Sequence, residues 1–245
     1  MEIYVVTLFP ELFEGFISSG VVNRAKKRER LSLEFVNPRD FTEDKHQQVD
    51  DYPFGGGAGM VLKPEPIFRA VESITGGVRS RDAGDRVVLL TAKGTVYDHE
   101  KAVELSISDR IVFISGHYKD IDERVRASLV TDEISLGDFV LSGGEIPAMA
   151  VIDSVVRLLP GVLGDFESAI GDSFFDGLLA PPTYTRPSEY REMKVPEVLL
   201  SGDHHAIHEW RQQEALKLTR ERRPELFEKY TSSMGVDEDI NTGSE

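Results

Sequence analysis

Apolar positions fall in two patterns along this chain. Ile3 to Leu8 reads as a strand. Leu31 to Val36 alternates, with Leu31, Leu33 and Phe35 on one face. Arg86 to Thr91, Arg110 to Ser115 and Asp132 to Leu136 are short and nearly all apolar, as strands buried on both faces are. Helices are predicted from Pro10-Glu11-Leu12-Phe13, over Pro64 to Ser73, Asp98 to Ser106, Asp120 to Leu129, and Ile146 to Leu158. Proline suits a first helical turn, and Pro160-Gly161 ends the last of these helices. Strands alternating with helices predict an α/β fold with a mostly parallel sheet.

Three of those strands end in polar or glycine-bearing loops: Thr91-Ala92-Lys93-Gly94, Ser115-Gly116-His117-Tyr118, and Leu136-Gly137-Asp138. Ligands of open α/β sheets bind beyond the carboxyl ends of the strands, so the three loops are expected to share a pocket. The third loop is the richest. From Glu133 to Pro147 an apolar lead reaches Gly137, a second apolar run follows, and Gly143-Gly144 breaks it before a proline. Glycine lets backbone approach a ligand closely.

Residues 41–60 and 75–85 are expected as loops. After about residue 160 the texture changes: 161–198 are rich in Gly, Pro, Asp and aromatic residues, with little periodicity. A loop of that length calls for a function. Helices return over 203–230, with Asp203 as an N-cap candidate and Arg223-Pro224 as a break. From Met234 onward a frayed tail is expected.

The chain has 245 residues, is 40% hydrophobic and contains no cysteine. That excludes disulfides, Cys-based zinc sites and a cysteine nucleophile, and suits a reducing cytoplasm. No apolar run reaches membrane-spanning length, so no membrane partner is expected. The net charge of −15 argues against a nucleic-acid partner unless local basic patches carry the contact. Two such clusters exist, Arg24 to Arg30 and Arg220 to Arg223. Solvated helix faces are the plainer reading of both.

Several motifs invite chemistry. Phe54-Gly55-Gly56-Gly57-Ala58-Gly59-Met60 lacks a following Gly-Lys-Ser/Thr, so it is no phosphate-binding P-loop. It is either a loop that closes over a flat ligand or a surface turn. His204 and His208 have the i, i+4 spacing of metal ligands, yet they sit at a helix start where capping explains the neighbouring acids better. The stretch 164–177 holds four acids among glycines and aromatics. Asp172, between Gly171 and Ser173, is one candidate general base. Arg157 closes an apolar helix, as a snorkelling edge residue or as a guanidinium aimed at a site.

Taken together, these motifs resemble the bacterial tRNA (guanine-N1)-methyltransferase family over residues 1 to about 230. The resemblance is carried by Thr7-Leu8-Phe9-Pro10, Asn37-Pro38-Arg39-Asp40, Val49 to Met60, the run Glu133 to Pro147, Pro160 to Gly164, Asp172-Ser173-Phe174, Tyr184-Thr185-Arg186-Pro187 and Val198 to Gly202. It implies a trefoil-knotted α/β fold of the SPOUT class, an obligate homodimer, S-adenosylmethionine as methyl donor, and tRNA with guanosine at position 37 as substrate. It also suggests a magnesium requirement, with no ligand set identified. The implied donor site is Gly116, Leu136, Gly137, Asp138, Phe139, Val140 and Leu141, with Gly143 and Gly144 supporting the bend. The implied catalytic pair is Asp172, as base, and Arg157. The expected division is a knotted methyltransferase domain at 1–160, a flexible catalytic linker at 161–198, a helical tRNA-binding domain at 199–232, and a disordered tail at 233–245.

The chain also departs from the family's common pattern. Gly116-His117-Tyr118-Lys119-Asp120 stands where Gly-Arg-Tyr-Glu-Gly is usual, so Lys119 replaces an acid. Thr91-Ala92-Lys93-Gly94 replaces Thr-Pro-Gln-Gly, and Ala58 replaces a proline.

Overall fold

The computed structural model describes residues 1–77, 85–163 and 171–234. It divides the chain into two compact units, Met1–Gly164 and Asp165–Glu245. The expectations for the 75–85 loop beyond residue 77, for the acids at 165 and 167, and for the tail from 235 fall outside the described residues.

The first unit is built on a five-stranded sheet. In chain order its elements are β1 (Glu2–Val6), α1 (Glu14–Ser18), α2 (Gly20–Lys27), β2 (Ser32–Val36), β3 (Asp50–Asp51), β4 (Val61–Leu62), α3 (Pro64–Thr75), β5 (Arg86–Val96), α4 (His99–Ser106), β6 (Arg110–Ser115), β7 (Asp120–Ile121), α5 (Glu123–Leu129), β8 (Asp132–Ser135) and α6 (Glu145–Val156). The sheet order is β2-β1-β6-β5-β8, and every neighbouring pair is parallel.

Both faces of this sheet are buried, which explains the continuous apolar runs. Ile3, Val5, Val88, Leu90, Ile111 and Phe113 pack with Val22 and Ala25 of α2, Leu105 of α4, and Ala148, Val151, Ile152 and Val155 of α6. The intervening residues Val87, Leu89, Val112 and Ile114 pack with Ile67, Ala70 and Val71 of α3, and Val125 and Leu129 of α5. A mixed α/β unit with a central parallel sheet is therefore what the strand pattern builds.

Local chemistry sets the helix ends. Pro64 opens α3, and Gly76 closes it at φ 78° with its N–H donating to Glu72 O. Asp98 caps α4 by accepting from Lys101 N at 2.9 Å. The expected helix at 120–129 begins later. Asp120–Ile121 instead pair with Val61–Leu62, and Asp122 caps α5 by accepting from Arg124 N.

Strand β5 is longer than its apolar core. It shifts register between Leu90 and Thr95, then pairs with β8 again at Thr95↔Ile134 and Val96↔Ser135. The expected loop Thr91 to Gly94 is this bulge. Gly94 lies so close to Glu133 backbone that a Cβ would collide with it.

In the second unit, Asp203 caps the helix His204–Arg222, accepting from His205 N and Ala206 N. A further helix, Pro224–Met234, follows the break at Arg223. Among the described residues of this unit, Leu178, Ala215 and Thr219 are buried. Glu189–Tyr190 and Met193–Lys194 form an antiparallel hairpin inside the segment expected as a linker. Its two turn residues, Arg191 and Glu192, have φ of 53° and 67°. Such a turn usually announces itself with Asn or Gly, which is why periodicity missed it.

Candidate functional site

The three strand-end loops of the first unit converge. They line a cavity of about 280 Å³ whose walls include Thr91, Ala92 and Lys93, then Gly116 to Asp120, then Leu136, Gly137 and Phe139 to Gly144. That volume sits just below the ~300–1,000 Å³ usual for small-molecule pockets. Gly116, Leu136, Gly137, Phe139, Val140, Leu141, Gly143 and Gly144 all line it; Asp138 does not.

The glycines at its floor are there for space. A Cβ on Gly144 would lie 2.6 Å from Ser115 Cα, a distance no packed structure tolerates. One on Gly143 would meet Glu145 and His117. The two segments are also joined by backbone: Gly144 N–H donates to Gly116 O at 2.8 Å, and His117 bridges Gly143. Gly137, at φ 146°, turns the chain away from β8, and Ser135 Oγ donates to Gly137 O at 3.1 Å.

Beneath this floor lies a buried carboxylate that the sequence pattern did not reveal. Glu145 begins α6 and is 2% exposed. Its Oε1 accepts from Thr7 Oγ1 at 2.8 Å, and its Oε2 lies 3.9 Å from His117 Nε2. Thr7 Oγ1 in turn accepts from Phe9 N at 3.0 Å, and the Phe9 ring meets His117 at 4.8 Å between centroids. The end of β1, the Gly116 loop and the start of α6 are thereby locked together. No residue spacing could have signalled a pair 138 positions apart.

The pocket's open side is charged and apolar. Lys93 Nζ pairs with the Asp120 carboxylate, an interaction that raises the lysine's pKa through the hydrogen bond first and the charge second. Lys119 lies along Gly59, with its Nζ toward Gly57. The glycine loop takes φ of 83°, 79°, 112° and 92° at Gly55, Gly56, Gly57 and Gly59. Phe139, Val140, Leu141 and Ile146 are exposed beside the pocket, Val140 by 89%.

Arg157 and Asp172 fall in different units. Arg157 is the exposed C-cap of α6, its N–H donating to Asp153 O at 3.1 Å, and it does not line the cavity above. Asp172 is half-buried in the second unit and lines a cavity of about 1010 Å³ there, with Tyr184, Arg186, His208, Arg211 and Gln212. Its turn is tied down. Ser173 Oγ accepts from Ala180 N at 2.9 Å, and the buried Thr219 hydroxyl accepts from Leu179 N at 2.9 Å. A lone threonine in a polar helix gave no sign of that role.

The basic clusters have partly internal duties. Arg28 donates to Gly161 O, Arg220 lies over the Phe227 ring, and Arg223 pairs with Glu225. Among the described residues, no group of three or more His, Asp or Glu side chains is placed to hold a metal ion. His205 Nδ1 lies 3.6 Å from Glu209 Oε2. No described helix is long and apolar enough to cross a membrane.

Comparison with known proteins matches the sequence to a family. The sequence model described as tRNA (Guanine-1)-methyltransferase TrmD matches residues 1–229. Relatives named tRNA (guanine-N(1)-)-methyltransferase occur in Bacillus velezensis and Anoxybacillus flavithermus, 53% and 54% identical over 230 residues. Each alignment covers 94% of this chain and 93% of the relative. The protein of that name in Staphylococcus aureus is 52% identical, with 94% of this chain and 92% of that one covered.

Proposed function

Because the chain belongs to the tRNA (guanine-1)-methyltransferase family, we propose that it transfers a methyl group from S-adenosylmethionine to N1 of guanosine-37 in tRNA. The observation that carries the donor assignment is the cavity: eight of the nine residues expected to hold the donor line it, all but Asp138. Its residues fit such a ligand. The glycine floor admits close backbone approach, Leu136, Val140 and Leu141 offer apolar walls to a flat ring, and the Ser115 hydroxyl, buried just before Gly116, has no hydrogen-bond partner among the described residues. Bound there, S-adenosylmethionine supplies an electrophilic methyl group on a sulfonium.

The chain's own residues then have two tasks. N1 of guanine carries a proton at neutral pH, and Asp172 takes it as general base. The negative charge that develops toward O6 meets the Arg157 guanidinium, a preorganised positive group. What remains is in-line placement. We assign Asp172 and Arg157 these roles by their match to the family's motifs. The exposed apolar surface at Phe139, Val140, Leu141 and Ile146 suits coverage by a second copy of the chain, so the working form is a homodimer. The tight passage of Gly144 against Ser115 suits a trefoil knot. A cytoplasmic setting follows from the tRNA substrate. Residues 199–232 are assigned to tRNA binding, with 161–198 carrying Asp172.

The test is methyl transfer from labelled donor to a tRNA transcript with guanosine at position 37, with magnesium or with chelator. We expect N1-methylguanosine at 37, and none when that guanosine is replaced by adenosine. Measured donor binding without product on the cognate transcript would overturn the reading. Product elsewhere in the RNA would leave a methyltransferase of different target.

A further inference from the structure

We propose that the Lys93–Asp120 ion pair at the rim of the donor cavity is an exchangeable clasp: Lys93 leaves Asp120 for a phosphate of the tRNA when substrate docks. The inference rests on the functional reading above for the identity of the polyanion.

Both residues line the same cavity. Lys93 stands on the bulge of β5 and Asp120 on β7, so their contact spans two of the three converging loops. Lys93 is 65% exposed and Asp120 34% exposed. An exposed pair of this kind contributes little to stability. Exchange of one anionic partner for another is therefore cheap.

The wider electrostatics favour such a device. A chain of net charge −15 repels a polyanion at long range. Cations at its docking face counter that repulsion locally, and one held by an exposed carboxylate is released at contact. Lys119, lying along the glycine loop on the same rim, adds a second ammonium. Glu123 and Arg126 are the other charges acting on Lys93. They act in opposite directions, and Asp120 is the lysine's principal partner.

The clasp predicts opposite signs for its two halves. Asp120→Asn releases Lys93 and should tighten tRNA binding about two- to fivefold, with the salt slope kept. Lys93→Met should weaken tRNA binding by a similar factor and lower the slope of log K against log salt by about 0.7–0.9, the loss of one phosphate contact. Lys93→Arg should restore both. The double variant should behave as Lys93→Met. Equal weakening by Asp120→Asn and Lys93→Met, or losses confined to donor affinity, would mean that the pair only braces the loops and would overturn the inference. Binding is read by titration of labelled tRNA at several salt concentrations, without turnover. A protein that binds tRNA but does not methylate it thus fails the functional reading and leaves this test intact. A protein that binds no tRNA at any salt fails both.

Discussion

Thr7 Oγ1 donates to Glu145 Oε1 at 2.8 Å inside the first unit, joining the end of β1 to the first residue of α6. A carboxylate at 2% exposure requires a donor. Thr7→Val keeps the shape and removes the hydroxyl. It should cost about 1–3 kcal/mol and lower the melting temperature by several degrees. Donor affinity should fall with it, because Glu145 follows Gly143-Gly144 directly. Thermal unfolding and donor titration of the one variant check both parts. An unchanged melting temperature would show that the pair carries no load.

Gly144→Ala tests the floor of the cavity. Its Cβ would sit 2.6 Å from Ser115 Cα, where backbone must move. Overpacking of this kind costs about 1–3 kcal/mol. Gly15→Ala is the contrast: Gly15 is in α1 and has nothing within 4 Å of the added carbon. That variant should be as stable as the parent or more so, since alanine favours helix. Equal melting temperatures for the two variants would contradict the packing argument.

Asp172→Asn removes the proposed base without changing its size. Turnover should drop about 10²–10⁴-fold, while tRNA and donor still bind. Single-turnover rates alongside binding isotherms separate the two effects. Methylation at the parent rate would place the base elsewhere.

Arg157→Ala should lower turnover about 10²–10³-fold and leave donor affinity near that of the parent. The reverse pattern, weak donor binding with turnover kept at saturation, would make Arg157 a binding or structural residue.

Asp132 gives a pH prediction at the far end of the sheet. Burial works to raise its pKa. Hydrogen bonds from Lys101 at 2.6 Å and from Thr131 at 2.6 Å, with Arg86 adding charge, outweigh that and hold it below the ordinary carboxylate range. A carboxylate depressed on folding contributes stability above its unfolded pKa of about 3.9 and loses it as pH falls through the folded value. Asp132→Asn should therefore destabilise by about 1–3 kcal/mol at neutral pH, and the gap to the parent should close below about pH 4. Urea melts across that range read the gap.

The parts of this fold legible in the sequence are those where one rule dominates. The sheet core was visible because Val87 to Leu90 and Ile111 to Ile114 bury both faces, and nothing but apolar residues fits there. The pocket was visible because its glycines and its strand-end positions agree. Two-residue pairings such as Asp120–Ile121 with Val61–Leu62 leave no period to detect. The hairpin at 189–194 turns through Arg191 and Glu192, residues with no preference for positive φ. The Thr7–Glu145 bond and the Thr219 anchor depend on partners brought close only by the finished fold. Asp138, expected at the donor site from its place in the motif, is the one residue from Leu136 to Leu141 that does not line the cavity.

The position of β1 has a consequence for how the protein is made. It pairs with β2 on one side, Glu2 opposite Ser32, and with β6 on the other, Glu2 opposite Arg110. A ribosome releases β2 soon after β1 but β6 only much later. At ~5–20 residues per second, the nascent chain carries β1 with one bare edge for several seconds. Synthesis stalled between residues 36 and 110 leaves that edge as a template for another chain. Such truncated products should be the aggregation-prone species in a cell expressing this protein.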